Sequence, residues 1–114
     1  MCIRDRAWNF GPLEQKGITT GEVVEKLVEQ WGSGSWVHVD PELPKVETNL
    51  LRLSWEKAAT RLDWHPVYTW EDALAEIVAF FKVYENGGDI SATLHKHIEA
   101  YVAHATSQNL QWAD

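Results

Sequence analysis

Apolar residues recur at helical spacing in four stretches of this chain, and the polar runs between them carry start and stop signals. Val23, Val24, Leu27, Val28 and Trp31 fall on one helical face. Ahead of them, Thr19-Thr20-Gly21-Glu22 predicts a capping box, in which the Thr19 side chain accepts from the backbone three residues on and Glu22 reaches back. Gly32 ends that helix. Ser54 reads as the N-cap of a short helix over Trp55–Leu62, and Pro66 forces an extended break after it. Thr69-Trp70-Glu71-Asp72 is a second capping start, followed by a stripe of Leu74, Ile77, Val78, Phe81 and Tyr84 that stops at Asn86-Gly87-Gly88. A last helix, from about Ser91 to His104, places Leu94, Ile98, Tyr101 and Val102 on one face.

Three runs lack that period and read as short strands: Ala7–Phe10, closed by Gly11-Pro12, then Trp36–Val39, then Leu50–Leu53. Asp40–Thr48, with Pro41 and Pro44, reads as an irregular connector. The expected fold class is therefore α+β, a small helical subdomain with a few short strands. Its element order does not build a doubly wound parallel sheet. Residues 1–6 read as a non-native start, 7–104 as the subdomain and 105–114 as a polar, frayed tail.

Seventeen acids against ten Lys and Arg give a formal charge of −7, which repels phosphate backbones and argues against nucleic-acid binding. No apolar run approaches the roughly 20 residues that span a bilayer, and the first residues form no secretory h-region. The single cysteine, Cys2, excludes an internal disulfide and suits a reducing compartment. These features together predict a soluble, cytoplasmic polypeptide.

The residues alone point to no catalytic or metal chemistry. Of the five histidines, His38, His65, His95, His97 and His104, the pair His95/His97 is two apart and His97/His104 two turns apart. Neither spacing suits paired metal ligands, so no metal site is expected. Seven tryptophans could stack on sugars, but in a small domain their commoner use is to enlarge the buried area. No G-x-G-x-x-G, no G-x-x-x-x-G-K and no Tyr-x-x-x-Lys occurs, and Gly32-Ser33-Gly34-Ser35 lacks the strand-before, helix-after setting of a phosphate cradle.

The order of motifs is more specific. Trp8-Asn9-Phe10-Gly11-Pro12 is followed by a Val-rich helix ending in Trp31-Gly32, then by Trp36, Glu47, Leu51-Arg52-Leu53 and Lys57-Ala58. Leu62-Asp63-Trp64-His65-Pro66, Trp70, Ala73-Leu74 and Phe81–Tyr84 complete the series. This pattern resembles the C-terminal segment of the CDP-glucose 4,6-dehydratases, extended short-chain dehydrogenases/reductases within the sugar-nucleotide epimerase and dehydratase group. The resemblance covers roughly Ala7 to Val102.

It implies an NAD-binding Rossmann domain upstream of what is present and a smaller C-terminal part closing over a nucleotide-sugar substrate. It further implies an internal redox cycle: hydride leaves C4 of the glucose, water is lost across C5–C6, and hydride returns to C6. The product is CDP-4-dehydro-6-deoxyglucose, a precursor of deoxysugars in lipopolysaccharide O-antigen. The family's cofactor-binding and catalytic residues lie upstream, so none is assigned here. Lys45, Glu47, Asn49 and Arg52 are the implied substrate-side residues. Val46 stands where the family has a histidine, and Ser54-Trp55-Glu56 replaces a common Asp-Cys-Ser, which leaves the particular nucleotide sugar open. The expectation is a fragment inactive by itself, dimeric when intact. The competing expectation is a free-standing, Trp-rich module that binds a saccharide or protein without catalysis.

Overall fold

The computed structural model describes residues 4, 6–13, 17–40, 42 and 52–113. Among these residues the fold is all-helical. In order, α1 spans Thr20–Trp31, α2 Glu56–Leu62, α3 Trp70–Glu85 and α4 Ile90–Ser107, with a short 3-10 turn over Gln111–Ala113.

The capping signals act as the sequence predicts. Glu22 N donates to Thr19 Oγ1 at 3.2 Å, and Thr19 N donates to Glu22 Oε2 at 2.7 Å. Asp72 N donates to Thr69 Oγ1 and Thr69 N to Asp72 Oδ2, both at 3.1 Å. Each box satisfies donors that a helix start otherwise leaves bare. Gly32 closes α1 in the left-handed region at φ 92°. The short helix departs slightly from expectation. It begins at Glu56 with Trp55 at the cap position, while Ser54 only reaches Glu56 N at 3.4 Å. The last helix starts one residue earlier than expected, at Ile90, because Asp89 caps it through Ala92 N at 3.0 Å.

α3 lies between α1 and α4. Residues 86–89 fold α4 back against α3 as an antiparallel helical hairpin, since Glu76 meets His97 and Tyr68 meets Tyr101. The turn depends on two glycines. Gly87 has φ 69°, and a Cβ on Gly88 would lie 2.7 Å from Val83 Cγ1. Past α4 the chain does not leave the fold: Leu110 N donates to Ala105 O, and Trp112 lies against Tyr101 with ring centroids 5.8 Å apart.

Among the described residues none of the three expected strands is formed and the fold is all-helical, which overturns the α+β assignment. Ala7–Phe10, Trp36–Val39 and the described part of Leu50–Leu53 carry no strand assignment. Their apolar, aromatic composition favours extended backbone, but a strand also needs a ladder partner. Among the described residues none is provided; Leu50 and Leu51 lie outside them.

Little of the surface is covered. Among the described residues, the buried apolar ones are Ala58, Pro66, Val78 and Ala105. The accessible area is 9125 Å², against about 6,300 Å² for a folded monomer of this mass. The radius of gyration is 17.1 Å, against about 13 Å for a compact domain of this length. The helices form from good local signals and then pack as an open layer. Thr69→Ala should therefore cost about 1 kcal/mol through the lost cap. Gly87→Ala should cost a similar ~1 kcal/mol through left-handed strain. Both should lower the urea midpoint with the slope unchanged.

Candidate functional site

The region that could meet a ligand is built around α2. The extended stretch Arg52–Trp55 leads into the helix, and Asp63 ends it in a left-handed conformation at φ 54°. Trp64 N then bonds back to Ala58 O at 3.2 Å. This turn aims the Trp64 ring at the N-terminal stretch, where Phe10 meets it edge-on at 4.9 Å. Trp55 stands edge-on to both Trp64, at 6.2 Å, and His65, at 5.7 Å. Its indole N–H donates to Pro12 O at 3.1 Å. Lys57 Nζ donates to Ala7 O at 2.8 Å and lies 4.7 Å from the Trp8 ring centroid. Residues 7–12 are thus strapped to α2 by aromatic packing and one ammonium group.

Beside this strap lies an open polar cleft of about 470 Å³, lined by Asn9, Ser54, Glu56, Lys57, Thr60 and Arg61. Lys57 and Arg61 are one turn apart on α2, so two cations face the same opening across Asn9 and Ser54. The cleft offers hydrogen bonds to a polar group, its two cations offset by the Glu56 carboxylate and by the bond from Lys57 Nζ to Ala7 O. The sequence reading does not single out this cleft; the available signal is the Lys57/Arg61 spacing on α2.

Of the implied substrate-side residues, Lys45, Glu47 and Asn49 lie outside the described residues, as does Cys2. Arg52 is described and exposed, two residues ahead of the cleft residue Ser54.

The histidines are distributed among separate partners. His38 pairs with Asp40 at 3.0 Å and His97 with Glu76 at 3.2 Å, while His65 stands 3.8 Å from Asp63. His95 Nδ1 contacts Ser91 O at 2.9 Å, and His104 stands edge-on to Tyr68. The tryptophans are likewise occupied within the chain. Trp31 carries Lys82 Nζ 5.6 Å from its ring centroid, and Trp36 packs over Gly21.

The described residues do not fit a nicotinamide dinucleotide. A pyrophosphate cradle needs a glycine turn opening a helix, where the backbone N–H groups and the dipole favour an anion. Gly32 and Gly34 follow the C-terminus of α1, the end whose carbonyls repel phosphate, and the Gly87-Gly88 turn that opens α4 presents the Asp89 carboxylate, which already accepts from Ala92 N.

Two tyrosines join the α2–α3 linker to α4. Tyr68 and Tyr101 stack edge-on at 5.0 Å. Burial pushes the Tyr68 hydroxyl above the ordinary phenol range, helped by the Glu76 and Asp72 charges. Burial also raises Tyr101, against hydrogen bonding to the Val67 backbone and the Trp64 side chain. A raised phenol favours the folded state while protonated. This contribution should be fully present below the unfolded value, about pH 10, and be lost as the pH rises through the raised folded values. Tyr101→Phe should flatten this alkaline decline, read as urea midpoints between about pH 8 and pH 11.5.

No family model matches the sequence, and no solved structure matches the chain. A curated protein does: the CDP-glucose 4,6-dehydratase of Salmonella typhimurium (strain LT2) is 33% identical over 100 residues. The matched stretch covers 87% of this chain and 28% of that enzyme, so the chain spans little more than a quarter of the length of its curated relative. The resemblance carried by the motif order is thereby established: over most of its length this chain is similar to a segment of CDP-glucose 4,6-dehydratase.

Proposed function

We propose that this chain is the C-terminal, substrate-facing part of an NAD-dependent CDP-glucose 4,6-dehydratase, inactive by itself. The observation that carries this reading is the 33% identity to such an enzyme over 100 residues that amount to 28% of its length. The reaction is conversion of CDP-glucose to CDP-4-dehydro-6-deoxyglucose and water, in a soluble, cytoplasmic enzyme. No described helix is long and apolar enough to cross a membrane.

Within that enzyme this chain's share is recognition. Lys45 and Arg52 supply cations for the substrate diphosphate, and Glu47 and Asn49 supply hydrogen-bonding groups for sugar or ribose hydroxyls. The α2 strap holds the stretch after Arg52 in place, with Trp55 fixed on Pro12 O and Lys57 on Ala7 O. NAD would accept and return the hydride, and its binding and the proton transfers belong to sequence outside this chain.

The genomic sequence ahead of codon 7 tests the reading. An in-frame extension encoding a glycine-rich nucleotide fingerprint and a Tyr-x-x-x-Lys pair is expected, and a stop codon directly ahead would contradict it. In the extended enzyme, Arg52→Ala should raise KM for CDP-glucose about tenfold, worth about 1.4 kcal/mol, with a smaller effect on kcat. Turnover of CDP-glucose by the 114-residue chain with NAD would show that it is not a recognition fragment.

A further inference from the structure

Gly11 and Pro12 pack against the stretch that carries Arg52. A Cβ on Gly11 would stand 3.4 Å from Leu53 O, 3.6 Å from Leu53 Cβ and 3.8 Å from Trp55 Cδ1. The next carbonyl, Pro12 O, accepts from Trp55 Nε1 at 3.1 Å. Two consecutive residues of the N-terminal stretch thus grip residues 53 and 55. Gly11 does not take a left-handed backbone, unlike Gly32, Gly34 and Gly87. Glycine here provides room rather than conformational freedom, letting one backbone lie on another.

The two sides of this contact are unequally held. Residues 7–12 are pinned at three points: Lys57 Nζ on Ala7 O at 2.8 Å, the Phe10 ring edge-on to Trp64 at 4.9 Å, and Pro12 O on Trp55. Arg52 and Leu53 lie outside the helices and are exposed, Leu53 at 61%. Bulk added at residue 11 must therefore move Leu53, and with it the neighbouring Arg52. A methyl group would only reach van der Waals contact, whereas a longer side chain would need the space that Leu53 O occupies.

We propose that Gly11 is a positioning residue for Arg52, acting through Leu53 and the Trp55–Pro12 hydrogen bond to fix where the guanidinium meets the substrate diphosphate. The assignment rests on the recognition role given above to Arg52. An exposed stretch with no such backing would have to be ordered at each binding event, and a preset one spares that cost. The guanidinium pairs with the diphosphate in ground and transition state alike, so misplacing it acts on KM rather than on kcat.

Two variants disturb the contact by different means. Gly11→Leu adds bulk against Leu53, while Trp55→Phe keeps a ring and removes the donor to Pro12 O. Gly11→Ala is the tolerated control. In the 114-residue chain, exchange of the Trp55 indole proton reads the contact itself, its resonance identified by its loss in Trp55→Phe. Gly11→Leu should speed this exchange about tenfold with far-UV dichroism unchanged, and Gly11→Ala should leave it within about twofold. In the extended enzyme, Gly11→Leu and Trp55→Phe should each raise KM for CDP-glucose about fivefold to tenfold, with kcat within about twofold. With Arg52→Ala already in place, neither should raise KM further, because all three substitutions remove the same interaction. Where Gly11→Leu disturbs folding, Trp55→Phe reads the same contact.

An unchanged indole exchange rate in a folded Gly11→Leu chain overturns the proposal, whatever the substrate. KM increases that add to that of Arg52→Ala, or a matching fall in kcat, reveal a general structural role and overturn it as well. If Arg52→Ala raises KM while Gly11→Leu and Trp55→Phe leave it unaltered, the positioning role falls and the recognition role stands. If Arg52→Ala itself leaves KM unaltered, the recognition role falls and takes this one with it.

Discussion

Trp64 is the contact on which the arrangement of this chain depends. Its backbone closes α2 on Ala58 O. Its ring receives Phe10 from the N-terminal stretch and faces Trp55 from the start of α2. Its side chain stands beside Tyr101 of α4 and offsets part of the burial that raises that hydroxyl. Three parts of the chain that are remote in sequence meet on one side chain. Apart from α2, the helices need no such joint, since α3 lies directly against both α1 and α4. With Ala58, Pro66, Val78 and Ala105 as the buried apolar residues among those described, edge-on aromatic pairs of about 0.5–1.5 kcal/mol each hold together what a larger core would otherwise hold.

This joint also explains why the Leu62–Pro66 element is informative without being catalytic. Asp63 supplies the left-handed turn, Trp64 the contact, and buried Pro66 the rigid exit toward the Thr69 cap. The element sets where the stretch after Arg52 stands relative to α3 and α4. In the proposed enzyme it would thereby set where the substrate-side residues stand.

What could be read from the sequence was what is local. Thr19 with Glu22 and Thr69 with Asp72 are complete instructions within four residues, and both form. The strands failed because a ladder partner is not a local property; Trp36–Val39 has the composition of a strand and nothing described to pair with. Helical periodicity showed that Ile77, Phe81 and Tyr84 share a face, but not what covers it, and they remain about half exposed. The site was legible only as kinship. The motif order led to the correct relative, whereas the cleft at Lys57 and Arg61 depends on the distant Asn9 and appears only once residues 7–12 are strapped to α2.

The role of Trp64 as a joint is tested most directly by amide hydrogen exchange of Trp64→Ala at neutral pH. Loss of a shared contact should raise exchange together in α2, in the last two turns of α4 and at Trp112, while α1 and the middle of α3 keep their protection. Faster exchange confined to residues 62–66, with α4 unaffected, would show that the three parts are held independently and would contradict this account.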